Sequence, residues 1–290
     1  MRYLTRKQAN GNHGSAGFRI RFFGANDQIF AMSTPPDHER RFGGVARLYG
    51  TEGARKIAAA HVCVIGIGGV GSWVAEVLAR SGVGRLTLID LDNVAESNIN
   101  RQIHANDQTL GQAKVVAMQQ RIALINPGCE VVCVEDFIDV DNVAALLPEC
   151  DAVIDAIDQV RPKAALIAHC KRNKILLVTT GGAGGRVDPT CIRIEDLSRT
   201  TQDALASKVR SRLRSEYGFT RDPKKKFGIE CVFSPEQIRR PANDACEVDG
   251  DADAGKGING LNCAGYGSSV AVTAAFGMAA AARVLTLLAK

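Results

Sequence analysis

The apolar positions of this chain follow two rhythms that alternate along its first two thirds. Short continuous runs at 62–66, 86–90, 130–134, 152–156 and 175–179 predict strands buried on both faces. Between them, at 72–81, 110–125, 140–147 and 161–172, apolar residues recur at helical spacing. One or two further helices are expected from Arg41 to Ala60, and Asn126-Pro127 is a stop signal for the third helix. Strands that alternate with helices predict an α/β fold: a mainly parallel sheet with helices on both faces. The rhythm changes after Gly181-Gly182-Ala183-Gly184-Gly185. Residues 186–196 predict one or two antiparallel strands, 203–216 a basic helix, and 236–260 a polar loop. The stretch Val270 to Leu288 is long enough for a membrane span, but it is Ala-rich and holds Thr273, Arg283 and Thr286. A buried C-terminal helix is expected there, so a membrane partner is not. Residues 1–31 lack any period and are expected to be a disordered or start-site extension, with Met32 a natural start. Residues 32–185 then form a nucleotide-binding core, and 186–290 continue the same domain.

The first strand, helix and second strand carry the most specific chemistry. Gly66, Gly68, Gly69 and Gly71 lie between the first strand and its helix. Such glycines permit a tight turn and let the backbone approach phosphate, while the helix N-terminus offers free N–H groups. Asp90 follows Gly71 by 19 residues, where a carboxylate can accept from ribose hydroxyls. This is a Rossmann-like nucleotide-binding unit. The glycines alone do not choose the nucleotide, and NAD(P) would be the default. The residues after Asp90 change that reading. Asp92, Asn98, Arg101 and Gln102 come within a dozen positions, and Lys114 follows. A dehydrogenase needs no such cation set beside the phosphates. An enzyme that expels pyrophosphate from ATP does, and it commonly needs Mg2+. Asp155 and Asp158 lie at the carboxyl end of the strand VIDAID, where open sheets bind ligands. Asp158, just past the strand, leads as the metal ligand.

Composition narrows the setting. The chain has 290 residues and 46% hydrophobic content, enough for a sizeable core. Its nine cysteines include no CxxC pair, which argues against a zinc ribbon and fits a cytoplasmic, reducing location. The formal net charge is +5, yet the window 199–226 holds nine Lys/Arg against Asp203, Glu216 and Asp222. Two readings stand for it, a solvated helix face and a nucleic-acid patch of Arg210, Arg212, Arg214, Lys224, Lys225 and Lys226.

GIGGVGSW, LIDLDNV, SNINRQ, Lys114 and DAIDQVRPK together resemble the ubiquitin-activating-enzyme-like (ThiF/MoeB/HesA) adenylyltransferases, over about residues 41–182. The resemblance implies that Asp90 binds ribose, that Asn98, Arg101 and Lys114 bind phosphates, and that Asp158 holds magnesium. It also implies a homodimer in which one subunit lends an arginine from its N-terminal helix. Gly44 falls where that arginine is common, so Arg41 and Arg47 are both candidates. The stretches RFGGVARLYG, VTTGGAGGRVDPT, ECVFSPE and NCAGYGS are similar to the branch of this family that dehydrates threonylcarbamoyladenosine in tRNA. That branch implies ATP and Mg2+ as cofactors and tRNA as partner. The same-fold alternative is an adenylyltransferase or sulfurtransferase acting on a ubiquitin-like sulfur carrier. Related enzymes use a cysteine for thioester or persulfide chemistry. Cys231, Cys246 and Cys263 lie in a Gly/Pro/Asp-rich region, and Cys263, before the last helix, is the best-placed catalytic candidate; a buried structural thiol is the other reading of each. A cysteine desulfurase or sulfur-acceptor protein is the partner that role would imply.

Overall fold

The computed structural model describes residues 37–239 and 266–290. The expected N-terminal extension, most of the 236–260 loop, Cys246 and Cys263 lie outside the described residues. A seven-stranded sheet runs in the order β3-β2-β1-β4-β5-β7-β6. Its strands are β1 His61–Ile65, β2 Arg85–Ile89, β3 Glu130–Val134, β4 Ala152–Asp155, β5 Leu177–Thr180, β6 Arg193–Asp196 and β7 Glu230–Phe233. All neighbours pair in parallel except β6 with β7. The expected antiparallel strand is therefore β6, and it lies at one edge of the sheet. β7 carries no apolar run long enough to have been predicted from sequence. It joins β5 in parallel, with Thr179 opposite Cys231.

Helices cover both faces, and strand alternation decides which residue meets which layer. On one face, Val62, Val64, Leu86, Leu88 and Ile154 pack with α1 (His38–Ala59), α2 (Gly71–Arg80), α3 (Lys114–Ile125) and α7 (Val270–Leu288). On the other, Cys63, Ile65, Ile89, Val153 and Phe233 pack with α4 (Val143–Leu146), α5 (Val160–Arg172) and α6 (Ala204–Glu216). α1 is broken at Gly50, whose φ is 75°, so the expected one or two helices are two segments that meet at a kink. α3 starts at Lys114, four residues later than its apolar pattern suggested, because 99–113 is wound into turns around Gln102 and His104.

α7 is long and apolar enough to cross a membrane. It buries Val272, Phe276, Ala280, Ala281, Val284 and Leu285 in the same core as α2 and the sheet. Small residues allow this close packing. A Cβ on Gly277 would stand 2.5 Å from the Val70 carbonyl oxygen and 2.9 Å from Trp73 Cβ. This contact anchors the start of α2, and with it the turn that leads into the cavity.

Candidate active site

The strand order reverses between β1 and β4, which opens a crevice at the carboxyl ends of the strands. A cavity of about 930 Å³ fills it, at the upper end of the usual range for small-molecule sites. The glycine turn forms one wall. Gly66 has φ 85°, and a Cβ there would meet the Ala156 carbonyl oxygen at 2.9 Å. A Cβ on Gly71 would overlap the Gly66 carbonyl oxygen at 1.7 Å, so both glycines are needed for the backbone to turn at all. Gly68 differs: a Cβ there would meet no atom within 4 Å. Its bareness leaves space beside the N-terminus of α2, where a phosphate would lie. Gly69 has no Cβ to obstruct the Arg101 side chain, which would lie 3.2 Å from one.

Asp90 ends β2 and ties the turn together. Its carboxylate accepts from the Ile67 N–H at 2.6 Å and the Asp92 N–H at 2.9 Å. Burial raises its pKa, and the nearby Lys114 opposes the rise. Each oxygen keeps further acceptor capacity for a ribose hydroxyl. Lys114, the first residue of α3, is buried and reaches Asp92 at 2.6 Å. Arg101 donates to the Ser97 carbonyl and to Asn100 Oδ1, and Trp73 Nε1 donates to the Arg101 carbonyl, which fixes the backbone there. Asn98 lies in a single helical turn, its Oδ1 accepting from the Ala95 N–H. Buried Gln102 has an Oε1 atom without a hydrogen-bond partner. Gly66, Gly68, Gly69, Asp90, Asp92, Asn98, Arg101, Gln102, Lys114 and Asp158 all line the cavity. Gly71 does not; it closes the turn behind it.

The two carboxylates of VIDAID separate clearly. Asp155 is fully buried and accepts from Thr179 Oγ1 at 2.6 Å, Lys163 Nζ at 2.9 Å and the Ile157 N–H at 3.0 Å. It is thereby excluded as a metal ligand and instead fixes the strand end. Asp158, half-buried, faces the cavity. No group of three or more His, Cys, Asp or Glu able to hold a metal exists among the described residues. One carboxylate with nucleotide phosphates and waters is a donor set that suits magnesium.

The cavity extends beyond the residues read from sequence. Leu91, Phe137, Ile138 and Val140 give it an apolar lip beside Asp90. Thr180 to Gly184, Arg186, Asp203 and Tyr266 line its other end. Arg186 is buried and sits 3.4 Å from Asp203, which also accepts from the Gly182 N–H. Phe137 and Arg186 follow strand ends, the position where open sheets bind ligands, and Arg186 also lies within the stretch VTTGGAGGRVDPT.

The expected place of Cys231, in a loop-rich region, is corrected, while the reading of it as a buried thiol holds. Cys231 lies on β7, fully buried between β5 and β6, and burial pushes its thiol pKa far up. Burial likewise holds Cys133 and Cys170 at about 12. Such thiols pack as small hydrophobes and do not act as nucleophiles. Within the basic window, Lys224, Lys225 and Lys226 are exposed. Arg212 is instead paired with Glu216 at 2.8 Å. Arg41 donates to the Ile125 carbonyl of its own chain at 2.7 Å, whereas Arg47 is exposed.

The sequence pattern of the ThiF family matches residues 42–290. The chain belongs to the ThiF family. It is 52% identical over 250 residues to the tRNA threonylcarbamoyladenosine dehydratase of Escherichia coli (strain K12), a match covering 85% of this chain and 92% of that protein. The dehydratase of the same name from Haemophilus influenzae is 48% identical over 265 residues, covering 90% and 98%. The crystal structure of the E. coli tRNA N6-threonylcarbamoyladenosine dehydratase, TcdA, in complex with ATP superposes with a TM-score of 0.77 at 49% identity. That superposition covers 86% of this ThiF-family chain and 94% of the other.

Proposed function

We propose that this ThiF-family chain is an ATP-dependent tRNA threonylcarbamoyladenosine dehydratase, acting on the modified adenosine next to the anticodon. The observation that carries this reading is the extent of the likeness to the E. coli dehydratase, which spans both the nucleotide half and the basic half. The cavity supports it by offering two ends, one suited to ATP and one to a second substrate.

The adenine would lie against the apolar lip of Phe137, Ile138 and Val140, with its ribose on Asp90. Asn98, Arg101, Gln102 and Lys114 would hold the phosphates, and Asp158 would hold a magnesium ion, which supplies charge neutralisation on the departing pyrophosphate. The threonyl carboxylate attacks the α-phosphorus, the bond to the β-phosphate oxygen breaks, and pyrophosphate leaves. The carboxylate is now a mixed anhydride with AMP. The carbamoyl group of the same nucleoside attacks the activated carbonyl, loses a proton and expels AMP. Both reacting groups belong to one molecule, so proximity removes much of the entropic barrier. The oxygen lost from the carboxylate leaves on AMP, which accounts for the water removed overall. This route needs no protein nucleophile. A sulfur relay through Cys263 is a separate reading.

The reading includes a homodimer. Arg47 is favoured as the lent arginine, because Arg41 is engaged within its own chain. A cytoplasmic location is in keeping with the free thiols of the described residues. The test is incubation with ATP and tRNA bearing threonylcarbamoyladenosine, followed by gentle digestion. One AMP should form for each nucleoside that becomes lighter by one water. AMP formation that requires a carrier protein ending in Gly-Gly, with tRNA unchanged, would overturn the reading in favour of the carrier-activating alternative.

A further inference from the structure

A second concavity, of about 400 Å³, lies along the outer side of α6. Ser207, Ser211 and Ser215 succeed one another down the helix, and Arg210 and Arg214 run beside them. Arg221, from the loop after the helix, closes the end. Spacing of four residues places each set on one stripe. Every side chain in the wall is a hydroxyl or a guanidinium. Among the described residues, none of the three arginines forms an ion pair.

Two of the guanidiniums are already held in place. Arg210 donates to the Thr200 hydroxyl. Arg214 donates through Nε to the Thr220 carbonyl at 3.3 Å and lies over the Phe227 ring. Each keeps further N–H donors for a ligand, and the ordering is complete before the ligand arrives. The cost of this arrangement is repulsion: burial and then the charge of Arg214 lower the Arg210 pKa. An anion would relieve it. The Ser215 hydroxyl already donates to the Arg212 carbonyl at 3.2 Å, which leaves Ser207 and Ser211 as the hydroxyls beside the guanidiniums. A carboxylate and a backbone phosphodiester each present two charged oxygens to such a set, and the tRNA substrate of the proposed reaction supplies the phosphodiester, repeated along its strand.

We propose that this groove seats a backbone phosphate of the tRNA substrate, and so fixes the register of the nucleoside that enters the cavity. The proposal rests on the tRNA-modifying reading above. The geometry connects the two sites through one helix. Asp203, Ala204 and Leu205, at the start of α6, line the cavity. Arg210 and Arg214 stand roughly 9 and 15 Å further along the axis, at about 1.5 Å per residue. A strand of a few nucleotides covers that distance.

The experiment uses the full chain and two readouts. Binding of an unmodified anticodon stem-loop is followed by fluorescence anisotropy without ATP, and dehydration of modified tRNA is followed with ATP. Arg221→Glu and Ser211→Asp place negative charge in the groove. Lys208→Glu makes an equal charge reversal at an exposed position of α6 outside it. Both groove variants should bind the stem-loop at least about tenfold more weakly. Arg221→Glu should also flatten the dependence of log affinity on log salt by about one unit. Lys208→Glu should bind like the wild type. Groove variants that bind normally, or a Lys208→Glu that loses as much as they do, would overturn the groove while leaving the dehydratase reading intact. A wild type that leaves modified tRNA unchanged would overturn the reading itself, and the groove's assignment with it.

Discussion

Lys114 Nζ and Asp92 Oδ2 stand 2.6 Å apart at the cavity wall, in an ion pair that joins the start of α3 to the loop after β2. The lysine is buried, while the Asp92 side chain is half-exposed at 54%. The pair also has a backbone counterpart, since the Lys114 N–H donates to the Asp92 carbonyl at 3.0 Å. Asp92 thus aims an ammonium into the cavity. Lys114→Met should reduce kcat/KM for AMP formation by about 10²–10³, the usual loss when one charge-stabilising donor is removed. The decrease should fall mainly on kcat. A loss confined to KM would show that Lys114 serves binding alone.

The glycine turn separates two roles that its sequence presents as one motif. Gly71→Ala places a methyl group 1.7 Å from the Gly66 carbonyl oxygen, so the turn must open. The cost should be at least about 1–3 kcal/mol of stability. Gly68→Ala meets nothing within 4 Å, and its fold should survive. Its methyl group would enter the phosphate space instead. Urea unfolding and ATP titration should therefore give opposite orders: Gly71→Ala weaker in stability, Gly68→Ala folded but weaker in ATP binding.

The same contrast shows how much the sequence disclosed. The buried strands were legible because parallel strands with both faces covered are apolar throughout, as in Val62 to Ile65. Asp90, Arg101, Lys114 and Asp158, singled out by residue type and spacing, do come together on the wall of one cavity. β7 was not, since its four residues include Glu230, which reaches across to Arg283 of α7 at 2.5 Å. A strand that depends on partners far along the chain leaves little local pattern. Cys231 was misplaced for the same reason. The basic patch was legible through Arg210 and Arg214, but the groove's other members, Ser207, Ser211, Ser215 and Arg221, were not. A run of serines and arginines announces positive charge, but not which arginines already have partners. Arg212 has Glu216, whereas Arg210 and Arg214 are held by neutral oxygens.

Asp155 and Lys163 make a buried pair beneath the cavity, with side chains 0% and 2% exposed. Lys163 also donates to the Ile157 carbonyl at 2.9 Å, so the pair holds the segment that carries Asp158. Asp155→Asn would leave an uncompensated ammonium in the core, and should cost about 3–5 kcal/mol. Asp158→Asn, at a half-buried position in the cavity wall, should affect turnover far more than stability. Thermal unfolding and AMP formation, measured on both variants, check the assignment. Equal loss of stability in the two would place Asp158 in the scaffold with Asp155.

His104 is 2% exposed, and neither ring nitrogen has a hydrogen-bond partner. Burial lowers its pKa from 6.5 to about 4, and the charges of Lys114 and Arg121 push in the same direction. The folded protein therefore keeps the ring neutral where the unfolded chain takes up a proton. The unfolded state binds more protons between those two values, so stability should fall as pH drops from about 6.5 toward 4. At pH 5 the loss should be about 2 kcal/mol relative to pH 7.5, at 1.36 kcal/mol per pH unit. His104→Gln cannot titrate in this range. Its urea-unfolding free energy can be lower throughout, because a glutamine amide also needs partners there, but this part of its pH slope should vanish. A His104→Gln variant that keeps the full wild-type slope would assign the acid sensitivity to other groups, with His61, whose pKa burial also lowers, the next to test.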